Sequence, residues 1–466
     1  MKKLLFTLFV LTTFSASFGQ TLLNSHAMKL RGSRNNHQIL NAVNLQKEVF
    51  AFVTDKEKVT ALKYNRALFF SDSISMNRPE KDFEFMAGYS FENNGNPRIY
   101  WASSDFKKIQ SVMFDFESNT TKVDNFQFAF TDESILNTFS ENNLFFILTL
   151  PKKEDQLKIY AFRKGEIYER TIDFSANKFI DEKGKTITFQ ELIRKNGLEL
   201  IDTKLLNPLF QSVGKSKMYI EGAKMILTFD SGIQTQILQV DLNSFSVTEQ
   251  VIPQLILVKS GKFNSYFHQN KLYQVKTNAE ELALAATDLK SGELVKKYYA
   301  ETKDTISFRN SPLFSQTGNQ KARVMKNTKK FLQRLANTDV GLSVYKTPNA
   351  TMVTVGGVRS VSSTGGIMIG ISAGVAMAAT GGDFSSLFNE ESLQSTYFES
   401  LFDDKFEHQN KPQGSLATDF IAQFMAENDL NLQTVFPYKD YFILSYYDSK
   451  KKEFVMRKFE DISESN

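Results

Sequence analysis

Asp288-Leu289-Lys290-Ser291-Gly292-Glu293 reads as a tight turn between two apolar-rich strands, and its form returns along the chain. Asp241-Leu242-Asn243-Ser244-Phe245-Ser246 and Asp115-Phe116-Glu117-Ser118-Asn119-Thr120 repeat it, and Ala161-Phe162-Arg163-Lys164-Gly165-Glu166 is a weaker fourth copy. An Asp heading such a turn bonds its own backbone two residues on, so these aspartates read as turn-formers before metal ligands. Each phrase is strand, turn and returning strand. The first positions stand at 115, 161, 241 and 288, with gaps of 46, 80 and 47. Two nearly equal gaps set a unit the size of a four-stranded propeller blade. The long gap then holds one unit plus an insertion of about 33 residues, Ala176 to Pro208. Within it Thr188 to Gly197 reads as a short helix ending at Gly.

Further units are expected at 48–70, 98–130, 143–174, 341–358 and 440–459, beside those around Asp241 and Asp288. The fold class that follows is all-β: a β-propeller-like ring of about seven (six to eight) four-stranded blades, with one or two short helices. Repeated meanders that cannot bury their own faces pack radially and hide their edges. A pair of sandwiches is the alternative. Residues 1–19 read as a signal peptide and 20–466 as one propeller-like domain with insertions at about 176–208 and 359–435. Either Thr21 to Leu30 or Gln38 to Val43 is expected to complete the last blade beside Tyr441 to Asp448 and Lys452 to Phe459. A helix is expected at about Leu416 to Glu427, with Phe420, Ile421, Phe424 and Met425 on one face, and Asn327 to Asn337 reads as a second helix or a basic outer strand.

The four turn phrases, spread over residues 84 to 300, resemble those of many bacterial propellers, quinoprotein-like ones included. The tryptophan docking motifs of that family are missing, since Trp101 is the sole Trp. The resemblance therefore implies the fold and carries no cofactor, and none is expected.

Composition agrees with many small aromatic-packed sheets: 43 of the 466 residues are Phe. Lys2 and Lys3, the apolar run Leu4 to Phe14 and the small-x-small site Ser17-Phe18-Gly19 form a secretory signal, with Gln20 or Thr21 as the mature start. Export to the periplasm, cell surface or medium is expected. The formal charge of +4 falls to +2 when the two lysines leave, so no broad basic field draws the chain to nucleic acid. With no cysteine there is no disulfide, thiolate metal site or lipid anchor.

Gly365 to Gly382 (GGIMIGISAGVAMAATGG) has no charge over 18 residues. Large residues alternate with small ones, the strand period. The glycines at 366, 370 and 374 also fit the small-xxx-small spacing of packed membrane helices, but the run is short of a span. A hairpin or apolar loop is the plain reading. The functional one is a contact segment for a partner, or less readily a membrane, through Ile367, Met368, Ile369, Ile371, Val375 and Met377.

Catalytic signals are thin. His26, His37, His268 and His408 have no metal spacing and read as surface or turn residues. No nucleophile elbow, P-loop or dinucleotide fingerprint occurs. Asp403, Asp404, Glu407 and His408 cluster, and a solvated stretch is favoured over calcium. Trp101 beside Tyr100 reads as core packing before sugar stacking. No catalytic or metal-binding residue is assigned. The expected function is a non-catalytic binding or scaffold protein that recognises a protein or glycan partner through loops on one face. The alternative is a glycan-binding or glycan-active protein using carboxylates at that face, where a catalytic pair would stand roughly 5–10 Å apart.

Overall fold

The structure is a computed structural model that describes residues 20–33, 36–128, 132–318, 320–360, 393–428, 430 and 432–462. The expected signal segment, 1–19, lies outside them. The described chain is all-β, and seven meanders of four or five strands make up nearly all of it. We call them blades I to VII in chain order.

Blade I joins Gln38–Val43, Val49–Thr54, Lys58–Tyr64 and Phe70–Asn77. Blade II joins Phe85–Phe91, Pro97–Ala102, Lys108–Asp115 and Thr120–Gln127. Blade III joins Glu133–Glu141, Leu144–Pro151, Gln156–Arg163 and Glu166–Asp173. Blade IV runs Ser216–Glu221, Lys224–Asp230, Gln234–Asp241 and Val247–Pro253, with the short strand Glu199–Ile201 added in parallel to its first. Blade V runs Lys262–His268, Lys271–Thr277, Glu281–Asp288 and Leu294–Glu301. Blade VI is Asp339–Lys346, Thr351–Ser360 and Leu393–Phe402, completed by the upstream strands Phe314–Thr317 and Arg323–Val324. Blade VII is Gln433–Tyr438, Tyr441–Asp448 and Glu453–Phe459, completed by Gln20–Ala27. The N-terminal strand, not Gln38–Val43, is thus the one that completes the last blade, by antiparallel pairing to Glu453–Phe459.

Backbone contacts divide the chain into two compact units. The smaller holds blades I and VII, and the larger holds blades II to VI. In both, the middle strands are buried on two faces and read as continuous apolar runs, as in Val49–Thr54 and Leu144–Pro151. The fourth strands, such as Thr120–Gln127 and Glu166–Asp173, are mostly exposed. A sheet covered on both faces with one open edge is a propeller blade, and the phenylalanines fill the space between such sheets. Phe139 stacks on Phe146 at 4.8 Å, and Phe179, Phe189 and Phe229 form a cluster between blades III and IV.

Among the described residues four helices accompany the sheets: α1 (Phe189–Asn196), α2 (Leu209–Ser212), α3 (Thr328–Leu335) and α4 (Ala417–Asn428). Thr188 and Glu191 form a capping box on α1, and Gly197 ends it at φ 71°. The turn phrase behaves as read. Asp115, Asp241 and Asp288 each accept from the two backbone amides two and three residues on, at 2.8–3.3 Å. The fifth position is left-handed in each: Asn119, Phe245 and Gly292. The fourth copy differs. Lys164 and Gly165 both have positive φ and form a two-residue hairpin between Arg163 and Glu166. That is a tighter turn of another type, with no place for a capping Asp.

Candidate functional site

The larger unit turns the first strands of its blades toward a single segment of its own chain, residues 198–213. Asn137 on blade III donates to the Leu198 carbonyl at 2.9 Å, and Asn264 on blade V donates to that of Val213 at 2.8 Å. Asn207 donates to the Tyr266 hydroxyl at 3.0 Å, and its carbonyl accepts from Ser343 of blade VI at 2.6 Å. Glu199–Ile201 pairs with the first strand of blade IV. Lys204 pairs with Glu141 of blade III at 3.0 Å. Close approach is built in at Gly341, where a Cβ would stand 2.9 Å from Val213. Buried polar groups need partners, and Asn137, Asn264 and Ser343 find theirs on backbone carbonyls outside the blade strands.

Two charged clusters flank the segment. Lys217 and Asp230, both fully buried, lie 3.5 Å apart. Lys217 also donates to Asn264 at 2.6 Å, while Asp230 accepts from Thr235 at 2.7 Å and from the Ser265 amide at 2.9 Å. Burial pulls the Lys217 amine down to about 8, against the opposing pull of Asp230. Burial lifts Glu199 to about 7, and the charge of Lys217 opposes it. On the other side, Asp202 reaches solvent, but desolvation by the protein crowded around it pushes it up, and the Lys204 amide restrains it. Burial also raises the Tyr89 hydroxyl, followed by the charges of Glu141 and Asp202. Glu199 has Lys217 as its charged neighbour and Asp202 has Lys204 and Glu141, so the two carboxylates sit in separate surroundings.

The residues singled out in the sequence are not brought together here. Gly365 to Gly382, with Ile367, Met368, Ile369, Ile371, Val375 and Met377, lies outside the described residues. Asp404 pairs with Lys346 at 2.6 Å and Glu407 with Lys296, while Asp403 caps its own turn and His408 contacts Asn310 at 3.0 Å. That cluster is dispersed onto separate partners. Trp101 is fully buried in blade II, as a core residue. His268 corrects the surface reading of the histidines. It ends the first strand of blade V, is 3% exposed, and burial holds its ring down to about 4. Among the described residues, no group of three or more metal-binding side chains converges. No helix among them is long and apolar enough to cross a membrane.

At one end of blades IV and V, aliphatic side chains stand in solvent. Ile233, in the turn before the third strand of blade IV, is 56% exposed. Ile256 and Val258, in the loop joining blades IV and V, are 81% and 87% exposed. The Gln254 amide donates to the Ile233 carbonyl at 2.9 Å, which ties turn to loop, and the Val258 amide donates to Glu281 at 3.1 Å.

No established protein family matches the chain, and no curated protein does. Among solved structures the chain is similar to the WD40 domain of SCAP from fission yeast. The identity is 11%, with 95% of this chain and 97% of that one covered and a TM-score of 0.31. The β-propeller domain of Myceliophteria thermophila Cps50 (Swd1) matches at 7% identity over 94% and 99%, with a TM-score of 0.30. An uncharacterised Listeria monocytogenes protein matches at 8% over 95% and 99%, with a TM-score of 0.29. The β-propeller-like class stands on the seven blades themselves.

Proposed function

We propose that this chain is an exported, non-catalytic binding protein that takes a protein partner through blade-joining loops at one end of its larger unit. The observation that carries the reading is the exposed trio Ile233, Ile256 and Val258. Scattered apolar residues on a surface are ordinary, but these three stand more than half exposed on a turn and a loop that the Gln254–Ile233 hydrogen bond joins. The inner polar side chains support it as well, since Asn137, Asn264 and Ser343 are engaged with residues 198–213. Export rests on the sequence of residues 1–19, with its two lysines, apolar run and small-x-small site.

Cross-linking of the mature chain in envelope extract tests this. Partner cross-links are expected beside Ile233 and Val258 and are expected to vanish in Ile256→Asp with Val258→Asp. Cross-links confined to the exposed fourth strands would overturn the reading. N-terminal sequencing of the envelope-derived protein should begin at Gln20 or Thr21. A second reading, action on a glycan, has one observation in its favour: Glu141 and Asp202 share Tyr89 as a neighbour. It requires glycan turnover that Glu141→Gln and Asp202→Asn each abolish.

A further inference from the structure

At the outer edge of blade VI lies a cleft of about 370 Å³, away from the loops considered above. One wall is the short strand Arg323–Val324 with its flanks, which supply Lys321, Arg323 and Lys326. The other is α3, which supplies Lys330 and Arg334 one turn apart. The floor is Phe314–Thr317, where Ser315 accepts from Arg334 at 2.6 Å and fixes that guanidinium. Phe331, Leu332 and Leu335 bury the opposite face of α3, so its two cations are held on the cleft side by the helix's own packing.

Among the described residues five cations line this space and no acid does. None of the five pairs with a described carboxylate. Elsewhere the chain balances its charges closely, with 56 basic and 52 acidic residues. Like charges one helical turn apart repel, and a cleft that gathers five without a counter-charge is set against its own stability. An anion removes that penalty. Two guanidiniums offer forked donors matched to tetrahedral oxyanions, and three ammoniums add point charges around them. The volume suits a small ligand and not a polymer.

We infer that this cleft binds a compact ligand bearing two or more phosphate groups. The inference is independent of the partner reading, because the cleft and the trio Ile233, Ile256 and Val258 share no residue. Titration calorimetry of the mature chain with tripolyphosphate and with inorganic phosphate tests it. Tripolyphosphate is expected to bind at one site and at least ~10-fold more tightly, since each further charge-assisted contact multiplies the constant. Lys326→Glu with Lys330→Glu, both exposed, should weaken it by roughly 100-fold. The milder Lys326→Gln with Lys330→Gln should weaken it by roughly 10-fold and serves if charge reversal perturbs folding. Lys290→Glu, on a turn of blade V and outside the cleft lining, should leave it unchanged. Cleft-dependent sedimentation with cardiolipin vesicles, whose headgroup carries two phosphates, would make a lipid headgroup the source of the phosphates, and its absence would leave a free ligand. Equal binding by wild type and both cleft variants, no binding of tripolyphosphate, or preference for sucrose octasulfate would each overturn the inference.

Discussion

A single backbone angle unites the copies of the turn phrase. Its fifth position is left-handed whether Gly292, Asn119 or Phe245 occupies it, and Lys452, fifth counting from Asp448, does the same at φ 59°. Asp448 accepts from Lys450 and Lys451, both at 3.0 Å, so this is a further copy whose sequence hides it. The Asp and the Gly were legible because each acts locally. The lysine was not, because surrounding hydrogen bonds impose the angle on a residue that does not favour it. An opposed pair of effects follows. Gly292→Ala should destabilise by about 1 kcal/mol, although the nearest atom to a Cβ is 3.9 Å away, because the cost is in the backbone. Lys452→Gly should gain up to about 0.5 kcal/mol, strain relief offset in part by unfolded-state entropy. Urea denaturation measures both; equal effects at the two sites would refute the account. His268 was misread for the complementary reason, since burial of a strand-end ring is decided by neighbours distant in sequence.

At the scale of elements, the insertion before blade IV was half legible. Its helix announces itself through Thr188, Glu191 and Gly197, and Thr188→Ala should cost about 1 kcal/mol by urea denaturation, with the N-terminal turn of α1 losing amide protection first. Glu199–Ile201 gave no signal, since three residues carry no period and parallel pairing leaves no turn phrase. That strand sets an unusual pH dependence. Glu199 titrates at about 7 in the folded chain against an ordinary 4.5. The folded state therefore holds a proton that the unfolded state has released between those values. The stability from Glu199 is complete below pH 4.5 and is lost as the pH rises through 7. Lys217 works at the other end. It gives up its proton near 8 in the folded chain and near 10.5 in the unfolded one, so stability rises across that window. Relative to Glu199→Gln, wild type should lose roughly 1–3 kcal/mol between the two Glu199 limits. Lys217→Met should lack the alkaline rise. Chemical denaturation across pH reads both, and parallel profiles for wild type and variants would contradict the assignment.

For the whole molecule, a range of six to eight blades was legible and blade composition was not. Turn spacing counts meanders, but blade VI takes its outer strands, Phe314–Thr317 and Arg323–Val324, from upstream of its first, and no local signal marks that exchange. Blade VII does the same over the longest possible separation, since Gln20–Ala27 pairs with Glu453–Phe459 through a register shift at Leu22 and Asn24. The Met28 amide extends the pairing to the Lys452 carbonyl at 2.8 Å. Such a strand contributes little buried surface of its own, and four of its eight residues are largely exposed. Its effect is on the edge it covers. Without it, Glu453–Phe459 would present an open row of donors and acceptors, a template for pairing with another chain. A chain beginning at Met28 should therefore lose roughly 2–4 kcal/mol, the net value of a few strand hydrogen bonds. It should also associate in a concentration-dependent way. Hydrogen exchange gives the discriminating readout. Amides of Glu453–Phe459 should lose protection while those of Val49–Thr54, inside blade I, retain it. Loss in both strands together would mean that the N-terminal strand supports the smaller unit as a whole, and unchanged protection in Glu453–Phe459 would mean that the edge needs no cover.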